Sequence, residues 1–460
     1  MSTDLNAINQ AIFPSTAARN AEGELEIGGV AATALASDYG TPLFVFDERE
    51  FRARAKNTVT ALRSEFQRIG ADAKVYYSSK AFLCVEVARW AIEEGLHIDV
   101  ASGGELAVVL AAGIDPKLIA MQGNNKSRAE LREAIEIGIG SIVIDSAHEI
   151  ERLSEEAAKL GKTVRVFLRV NSGVHATTHS FLATAHEDQK FGVPLTQAAE
   201  LIERIRSDAN MDLRGVHCHI GSQIHAVDGF VESAARMTEL VAELSKTGPV
   251  PELNLGGGFG IAYNQAEVES APNIFELAKQ LADTVAVACE RAGIPVPLLS
   301  FEPGRSIAAP AGVTLYTVGN IKTVDLTVSD KAADPADLGY TERRYISIDG
   351  GMSDNLRPAF YNATYTARLA NRTSSAPPAL SRVVGKHCET GDIVLHRALL
   401  QSDISEGDLI AFAATGAYGW VLASNYNYVP RPAVVAVRDG ESRLIVRGET
   451  IKDLVARSVY

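Results

Sequence analysis

Residues 74–104 read KVYYSSKAFLCVEVARWAIEEGLHIDVASGG, and this stretch shows the pattern that decides the fold. A short apolar run rich in β-forming residues, Lys74–Ser78, is followed by a serine-containing turn, a stretch of helical length and a second apolar run, Leu96–Val100. This order predicts a strand, a crossover helix and a second strand parallel to the first.

Eight apolar runs of this kind lie between residues 74 and 303, and amphipathic stretches such as Ser127–Gly138 and Ile274–Ala292 separate them. Eight strand–helix units indicate an α/β fold of the (β/α)8 type, a TIM barrel, with an opening helix around Glu48–Ile69. We predict that the barrel occupies residues 47–308. The predicted strands are Lys74–Ser78, Leu96–Val100, Leu118–Met121, Ser141–Ile144, Val164–Val170, Leu213–Cys218, Glu252–Leu255 and Val296–Phe301.

After residue 308 the sequence changes to short β-type runs without amphipathic helices between them, which indicates an all-β domain, a β-sandwich or β-barrel. The β-type segment Pro42–Phe46 is predicted to pair into this domain, which would comprise residues 1–46 and 309–460. Two polar segments, Asp325–Arg343 and Arg372–Ser381, are predicted to be exposed loops. The predicted strands are Thr314–Lys322, Arg344–Ile348, Leu409–Phe412, Ala433–Val437 and Leu444–Arg447.

The composition argues against several classes of protein. The 460 residues include 44 Lys+Arg and 57 Asp+Glu, a net charge of −13 without a dense basic stripe, so nucleic acid and anionic membranes are poor partners. No apolar run reaches the ~18 residues of a membrane span, and Met1–Asn20 lacks the features of a secretory signal, which predicts a cytoplasmic location. The scattered cysteines form no Cys-x-x-Cys pair, so we expect free thiols at Cys84, Cys218, Cys289 and Cys388.

The positions just past the C-terminal ends of the eight predicted strands should line one mouth of the barrel, where active sites of this fold are built. These positions are polar, glycine-rich and charged. They are Ser79-Lys80, Asp99, Ser102-Gly103-Gly104, Gln122-Gly123-Asn124, Asp145-Ser146, Arg169, Asn171, His219-Ile220-Gly221-Ser222, Gly256–Gly260 and Glu302-Pro303-Gly304-Arg305.

Two features of the mouth point to a bound cofactor. A lysine is usually a solvated surface group, but Lys80 closes an apolar strand inside the mouth, where partial burial would favour a neutral amine able to form a Schiff base. The run Gly256–Gly260 could be only a tight strand-to-helix turn. After a seventh barrel strand it could also cradle a phosphate with backbone N–H groups, with Ser222 and Gly304 as further donors. It is not a nucleotide P-loop, because no Gly-Lys-Ser/Thr follows.

A histidine and a carboxylate complete the predicted mouth. His217 and His219 are two apart on one strand and face the same side, and the sequence leaves open which one reaches the mouth. His219 could be an ordinary core histidine, and the more specific interpretation is that its ring stacks on a flat cofactor. Glu302 could pair with Arg305 in a structural contact, or it could hold a pyridine nitrogen protonated.

A metal site is the competing interpretation of the histidines. The spacing of His175 and His179 could place two ligands on one helix face. Their segment is typical of a loop, however, and no Cys ligand accompanies it. We therefore expect no metal.

A lysine, a phosphate cradle, a stacking histidine and a carboxylate are the parts that a pyridoxal-phosphate site requires. With their neighbours they resemble a known family, the fold type III pyridoxal-phosphate decarboxylases of basic amino acids, whose barrel is like those of alanine racemase and ornithine decarboxylase. The resemblance covers nearly the whole chain. Its motifs, in the family's order, are Tyr76–Ala81, Asp99–Glu105, His217–Gln223, Gly256–Gly260, Glu302–Arg305, Cys388–Asp392 and Gly416–Tyr418.

The resemblance implies a role for each residue that matches a family motif. Lys80 would form the Schiff base, His219 would stack on the ring, and Glu302 would bind the pyridine nitrogen. Cys388 resembles the thiol that handles a proton at the reacting carbon, so Lys80 and Cys388 are the implied catalytic residues. The other implied cofactor-binding residues are Ser222, Gly257, Gly258, Gly260, Gly304, Arg305 and Tyr418, and the implied substrate-binding residues are Arg305, Arg357, Tyr361, Glu389 and Tyr418.

Within the family, the motifs resemble most those of members that decarboxylate meso-2,6-diaminopimelate to L-lysine and CO2, the last step of lysine biosynthesis. The far end of that substrate carries an ammonium and a carboxylate. Arg357 offers a bidentate fork for the carboxylate, and Glu389 offers an anion for the ammonium. Ornithine-type relatives typically have Asp after the cysteine. Decarboxylation of ornithine, arginine or lysine, a racemase, and a catalytically inactive binding protein are the alternatives.

The resemblance also implies a homodimer with shared active sites, in which the loop that carries Cys388 comes from the partner chain. Two motifs depart from the family. Ser78–Phe82 reads SSKAF where Ala-x-Lys-Ala-Asn is frequent, and Cys388–Thr390 reads CET where Cys-Glu-Ser is common. The insertion near Asp325–Arg343 matches nothing that the resemblance covers.

Overall fold

The computed structural model describes residues 4–174, 190–327 and 339–459. The chain divides into two compact units. The first, here called the barrel unit, comprises Arg52–Ile261 and Ser270–Ile307; the second, the β unit, comprises Met1–Phe51, Ala262–Glu269 and Ala308–Tyr460. The sequence-based domain limits at residues 47 and 308 stay a prediction.

Eight parallel strands close into a barrel, because each pairs with the next along the chain and the eighth pairs with the first. This confirms the predicted TIM barrel, and the ends of the predicted strands differ by at most two residues from those observed. A two-residue strand, Val193–Pro194, pairs beside the fifth. The eight strands are Ala73–Ser78, His97–Val100, Ile119–Met121, Ser141–Ile144, Val164–Asn171, Met211–His217, Glu252–Asn254 and Leu298–Phe301.

Four of the described crossover helices begin at a side-chain cap, from Ser102, Ser127, Ser146 or Asn273. Ser127 and Glu130 form a reciprocal capping box at the start of the helix Arg128–Ile137, and Gly138 ends that helix in the left-handed conformation, φ 71°. The helices are Glu48–Arg68, Val85–Glu93, Gly103–Ala111, Arg128–Ile137, Ala147–Leu160, Leu195–Ser207, Val227–Leu244, Ile274–Ala292 and Arg305–Ala311, with 3-10 turns at Ser79–Ala81 and Pro116–Leu118.

The β unit is built around one large sheet. Leu43–Asp47 lies inside that sheet, antiparallel to Gly312–Asp325 and parallel to Ala433–Arg438, so the predicted pairing of the N-terminal β segment is confirmed. The remaining strands are Ala18–Arg19, Leu25–Ile27, Val30–Ala31, Glu342–Ile348, Ala367–Leu369, Pro378–Val384, Ile393–Gln401, Leu409–Ala413 and Glu441–Val446. Short helices are Ala32–Tyr39, Arg357–Tyr361 and Ile451–Val455, with 3-10 turns at Gln265–Glu267, Trp420–Leu422 and Tyr426–Tyr428.

The two predicted loops need correction. Pro378–Val384 is a strand, so the last part of the predicted loop Arg372–Ser381 is wrong: Leu380 and Ser381 are buried there. A proline can be the first residue of a strand. The polar residues on either side of this strand made its apolar pattern hard to recognise in the sequence. At the other loop, strands reach Asp325 and start again at Glu342, and residues 328–338 between them lie outside the described residues.

No helix among the residues that the structure describes is long and apolar enough to cross a membrane.

Candidate active site

Glu302 follows the eighth barrel strand directly and is buried. Its carboxylate accepts hydrogen bonds from side chains of three other parts of the barrel. Oε1 accepts from Asn254 Nδ2 at 2.8 Å and from Gln122 Nε2, and Oε2 lies 3.1 Å from His217 Nε2. Because an ionised carboxylate only accepts, His217 Nε2 carries the proton. Three donors therefore fix the orientation of one carboxylate.

The surroundings of Glu302 also fix its charge. Burial would raise its pKa, but the neighbouring His217 imidazole, the charge of Lys80 and the hydrogen bond from Asn254 lower it, and the net pKa lies below the ordinary value. Asp99 shows the opposite shift, because burial and the charge of Glu302 raise its pKa well above the usual range. Of the two carboxyl groups, Glu302 is therefore the one that ionises first.

His219 is half-buried against the glycine run. The N–H of Gly257 donates to His219 Nδ1 at 3.2 Å. Burial lowers the pKa of His219, and the charges of Lys80 and Arg169 act in the same direction. The ring is therefore neutral, with its proton on Nε2. Both histidines therefore contact residues of the mouth: His217 binds Glu302, and His219 lies beside Gly257.

The glycines of the run Gly256–Gly260 are packed so closely that side chains do not fit at their positions. A Cβ on Gly257 would lie 2.0 Å from the carbonyl oxygen of Glu302, and one on Gly258, at φ +110°, would lie 2.2 Å from that of Gly221. A close-packed glycine turn can present backbone N–H groups to a phosphate. In this structure the N–H of Gly257 donates to His219 Nδ1 at 3.2 Å and the N–H of Gly260 donates to the Ile224 carbonyl at 3.0 Å. Gly260 is packed as tightly, since a Cβ there would lie 2.6 Å from His225 Cδ2. Two other residues predicted to bind the phosphate contact each other, because Arg305 Nη2 donates to Ser222 Oγ at 2.8 Å.

Lys80 lies in the 3-10 turn Ser79–Ala81, directly after the first barrel strand. The side chain is exposed, so the expected partial burial is wrong. The turn buries Ser79 and Ala81 on either side and leaves the lysine between them in solvent. Its charge nevertheless acts on the pKa of three groups of the mouth, which places the amine within electrostatic reach of Asp99, His219 and Glu302. Gly304 lies against the same turn, since a Cβ there would be 3.0 Å from the Cβ of Ala81.

The remaining predicted site residues belong to the β unit. Arg357 is buried, donates to the Tyr365 hydroxyl at 2.6 Å and stacks over the ring of Tyr263 at 4.5 Å. Tyr361 is half-buried at the end of the helix that Arg357 begins. Tyr418 is half-buried, with a left-handed backbone at φ 57°, and Cys388 and Glu389 are exposed in one loop.

Sequence reasoning missed several partners of these residues. Asn254 carried a signal, since a polar side chain at an inward position of a buried strand requires a partner. The sequence predicted Gln122 to lie at the mouth, but it did not predict the hydrogen bond from Gln122 to Glu302. Tyr263 and Tyr365 carry no local signal, because the two rings that contact Arg357 are far apart in the chain. The metal candidates His175 and His179 lie outside the described residues.

The barrel matches a family model. The model is described as "Pyridoxal-dependent decarboxylase, pyridoxal binding domain" and matches residues 52–309. The chain belongs to this family. The family's cofactor is pyridoxal phosphate, and the residues of the mouth fit it: a buried ionised carboxylate suits a protonated ring nitrogen, the backbone cradle suits a phosphate, and Lys80 suits an aldehyde.

Curated relatives within the family extend over nearly the whole chain. The chain is 46% identical over 456 residues to a protein of Mycobacterium bovis named diaminopimelate decarboxylase, covering 97% of this chain and 98% of that one. A Bacillus subtilis protein of the same name is 43% identical, with 96% of each covered.

Solved structures of family members agree with the fold. A structure of diaminopimelate decarboxylase from M. jannaschii in complex with L-lysine has a TM-score of 0.87 and 30% identity, covering 97% of this chain and 98% of that one. A lysine/ornithine decarboxylase from Vibrio vulnificus has a TM-score of 0.71 and 21% identity, covering 89% of this chain and 99% of that one, and shares the fold.

Proposed function

We propose that this chain is a diaminopimelate decarboxylase, which converts meso-2,6-diaminopimelate to L-lysine and CO2 at the last step of lysine biosynthesis. The observation that carries the proposal is an ionised Glu302 in the same mouth as Lys80 and the glycine cradle. These three features bind three different groups of pyridoxal 5'-phosphate. The substrate is supported by relatives of that name, which match almost end to end.

Each residue of the mouth is proposed to contact a different group of the cofactor. When bound, pyridoxal phosphate supplies an electron sink for the electron pair that is released as CO2 leaves. Lys80 would provide the amine that binds the aldehyde, and Glu302 would keep the proton on the ring nitrogen. The neutral ring of His219 would hold the face of the cofactor. Ser222, Gly257, Gly258, Gly260 and Gly304 would hold the phosphate, together with Arg305.

The substrate residues explain the selectivity. Arg357 offers the distal carboxylate of the substrate a planar fork with two donors, and Glu389 accepts from the distal ammonium. Tyr361, Tyr418 and Arg305 are the other proposed contacts. Cys388 handles a proton at the reacting carbon, which requires its loop to reach the substrate.

We propose further that the protein is a cytoplasmic homodimer with shared sites and no nucleic-acid partner. Cys388 and Glu389 are exposed in the single chain. The β unit also exposes large aromatic side chains, with Phe360 57% and Tyr428 72% accessible.

The test is product analysis with the two competing substrates side by side. The purified protein, incubated with pyridoxal phosphate, should show the visible absorption of the bound cofactor. It should release CO2 and L-lysine from meso-diaminopimelate, and turn over ornithine roughly 10⁴-fold less efficiently, since a site built to pair a charge rejects an analogue that lacks it. Equal turnover of ornithine would indicate an ornithine-type decarboxylase, and absorption without any CO2 release would indicate a racemase or a binding protein.

A further inference from the structure

The loop that carries Cys388 is closed at its base by Asp392. The N–H of His387 donates to Asp392 Oδ2 at 2.9 Å, and the N–H of Gly385 donates to the carbonyl of Asp392 at 3.0 Å. His387 and Asp392 are buried, whereas Cys388, Glu389 and Thr390 are exposed. The loop is therefore a short exposed tip on a buried base, and its tip carries both residues that the proposed reaction needs.

His387 connects this base to two other segments of the β unit. Its Nε2 lies 2.8 Å from Ser353 Oγ, and its Nδ1 lies 3.2 Å from Asn427 Oδ1. The amide oxygen of Asn427 only accepts, so Nδ1 carries a proton, and the Ser353 hydroxyl can donate to Nε2. Ser353 is itself tied to the segment before Asn427, because its carbonyl accepts from the N–H of Ser424 at 2.8 Å.

Asn427 receives a second bond from the same loop. Its Oδ1 accepts the backbone N–H of Cys388 at 3.2 Å, in addition to the His387 ring. The backbone of Asn427 is left-handed, with φ 50° and ψ 25°, a conformation that asparagine tolerates better than most residues. One side-chain oxygen thus binds two consecutive residues of the loop, and the second of them is Cys388.

We propose that Asn427 is a positioning residue whose side-chain oxygen fixes the loop that presents Cys388 and Glu389 to the substrate. The inference rests on the proposed function for its effect on catalysis. Glu389 at the tip accepts hydrogen bonds from its own loop, from the Gly391 N–H to Oε1 at 3.2 Å and from the Asp392 N–H to its carbonyl at 3.1 Å. The bonds to Asn427, in contrast, join the loop to a remote segment of the β unit. A displacement of the order of 1 Å in a reacting group costs about 10²-fold in rate.

The experiment compares two variants of Asn427 with a matched control. Asn427→Gly keeps the left-handed backbone and removes the acceptor. Asn427→Asp keeps an acceptor oxygen and also tolerates that backbone. Asp439→Gly is the control, because Asp439 is another left-handed residue of the β unit, with φ 56°, in a hairpin turn. For each purified protein, amide hydrogen exchange of a peptide covering residues 386–391, Tm, cofactor absorbance, kcat and KM are measured.

For Asn427→Gly we expect the Cys388 amide to exchange at least roughly 10-fold faster, because its acceptor is gone. We expect kcat to fall roughly 10- to 100-fold while cofactor absorbance and Tm match those of Asp439→Gly. Asn427→Asp should restore both exchange protection and most of kcat.

Unchanged exchange in Asn427→Gly would overturn the proposal, and so would faster exchange with an unchanged kcat. An equal loss of kcat in Asn427→Asp would also overturn it, since the acceptor would then be irrelevant. A wild-type protein that leaves diaminopimelate intact would refute the proposed function instead. The exchange comparison would still decide whether Asn427 fixes the loop.

Discussion

Glu302 is held ionised by its neighbours and not by solvent, and this can be tested at the scale of one residue. We expect Glu302→Gln to bind pyridoxal phosphate with altered visible absorption and to lose roughly 10²-fold or more in kcat, since a neutral amide cannot stabilise a protonated ring nitrogen. The control is Glu252→Gln. Glu252 is also a buried carboxylate of the barrel, but its partner is Lys74 at 2.8 Å. Steady-state kinetics and absorption spectra of both variants are the measurement, and equal kcat values for Glu302→Gln and wild type would make Glu302 a structural residue.

Arg357 allows a second test at the scale of one residue. Its guanidinium is proposed to bind the distal carboxylate of diaminopimelate, and L-lysine lacks that carboxylate. We expect Arg357→Lys to lower kcat/KM for diaminopimelate by roughly 10²-fold, since an ammonium keeps the charge and loses the planar pair of donors. Residual activity on L-lysine should change little. Tyr365→Phe keeps the ring, removes the 2.6 Å bond from Arg357 and the 3.4 Å bond to Asn355 Oδ1, and serves as the control for local packing. Equal losses on both substrates would place Arg357 away from the distal carboxylate.

Sequence patterns predicted which residues follow the barrel strands, but not their hydrogen-bond partners or their exposure. The alternation of the strands predicted that His217 and His219 share a side, yet their separate roles depend on Glu302 and Gly257, which are remote in the chain. The exposure of Lys80 depends on a three-residue turn whose geometry no periodicity encodes. The contacts of Arg357 with Tyr263 and Tyr365 arise only from the packing of the β unit.

At the scale of elements, a buried carboxylate joins two neighbouring barrel helices. Glu156, on the helix Ala147–Leu160, is fully buried and pairs with Lys159 at 2.8 Å, with Arg132 at 2.8 Å and with Arg128 at 3.1 Å. Arg128 and Arg132 belong to the helix Arg128–Ile137. The hydrogen bonds from Lys159 and Arg132 lower the pKa of Glu156 from 4.5 to about 2. The ionised carboxylate therefore stabilises the folded state.

We expect Glu156→Gln to lower Tm by several degrees at neutral pH. The folded-state pKa lies below the unfolded one, so the stabilising effect is complete above about pH 4.5 and is lost as the pH falls towards 2. The Tm difference between wild type and Glu156→Gln should shrink over that window. Glu155→Gln is the control, because Glu155 is 56% exposed and pairs only at the surface, with Arg128. Thermal unfolding followed by circular dichroism from pH 7 to pH 2.5 is the measurement, and a pH-independent difference would contradict the assignment.

The elements themselves followed from the sequence to different degrees. The barrel strands alternate with helices and are bounded by glycine and serine, so periodicity predicted them almost to the residue. In the β unit, the strand Ile393–Gln401 was not predicted, because polar side chains interrupt the run IVLHRALLQ and five of its nine residues remain accessible. Pairing partners, and closure of the barrel by its first and eighth strands, are set by contacts between remote segments that no local pattern contains.

At the scale of the whole molecule, the proposed shared site predicts that two inactive proteins can repair each other. Lys80→Ala removes the amine and Cys388→Ala removes the thiol, and each variant alone should be inactive. Unfolding and refolding an equal mixture should restore up to about a quarter of wild-type activity, because half of randomly paired dimers are mixed and each mixed dimer contains one intact site.

Distinguishable affinity tags on the two variants allow the mixed dimers to be isolated and assayed directly. Each variant refolded alone is the control for partial activity. Mixed dimers that form and stay inactive would mean that Lys80 and Cys388 act from the same chain, and the shared-site proposal would be abandoned.

The place of Leu43–Asp47 inside the large sheet constrains how the chain acquires its structure during synthesis. This strand is made early, but its two neighbours contain Leu315 and Ala433, so the ribosome must finish the whole barrel sequence before either can pair with it. Until then the backbone groups of the apolar segment Leu43–Phe46 have no strand to pair with. Such long-range pairing is slow, and an unpaired strand of this kind is a template for aggregation. We therefore expect the strand Leu43–Asp47 to need protection from aggregation until residues 312–315 and 433–437 have been synthesised.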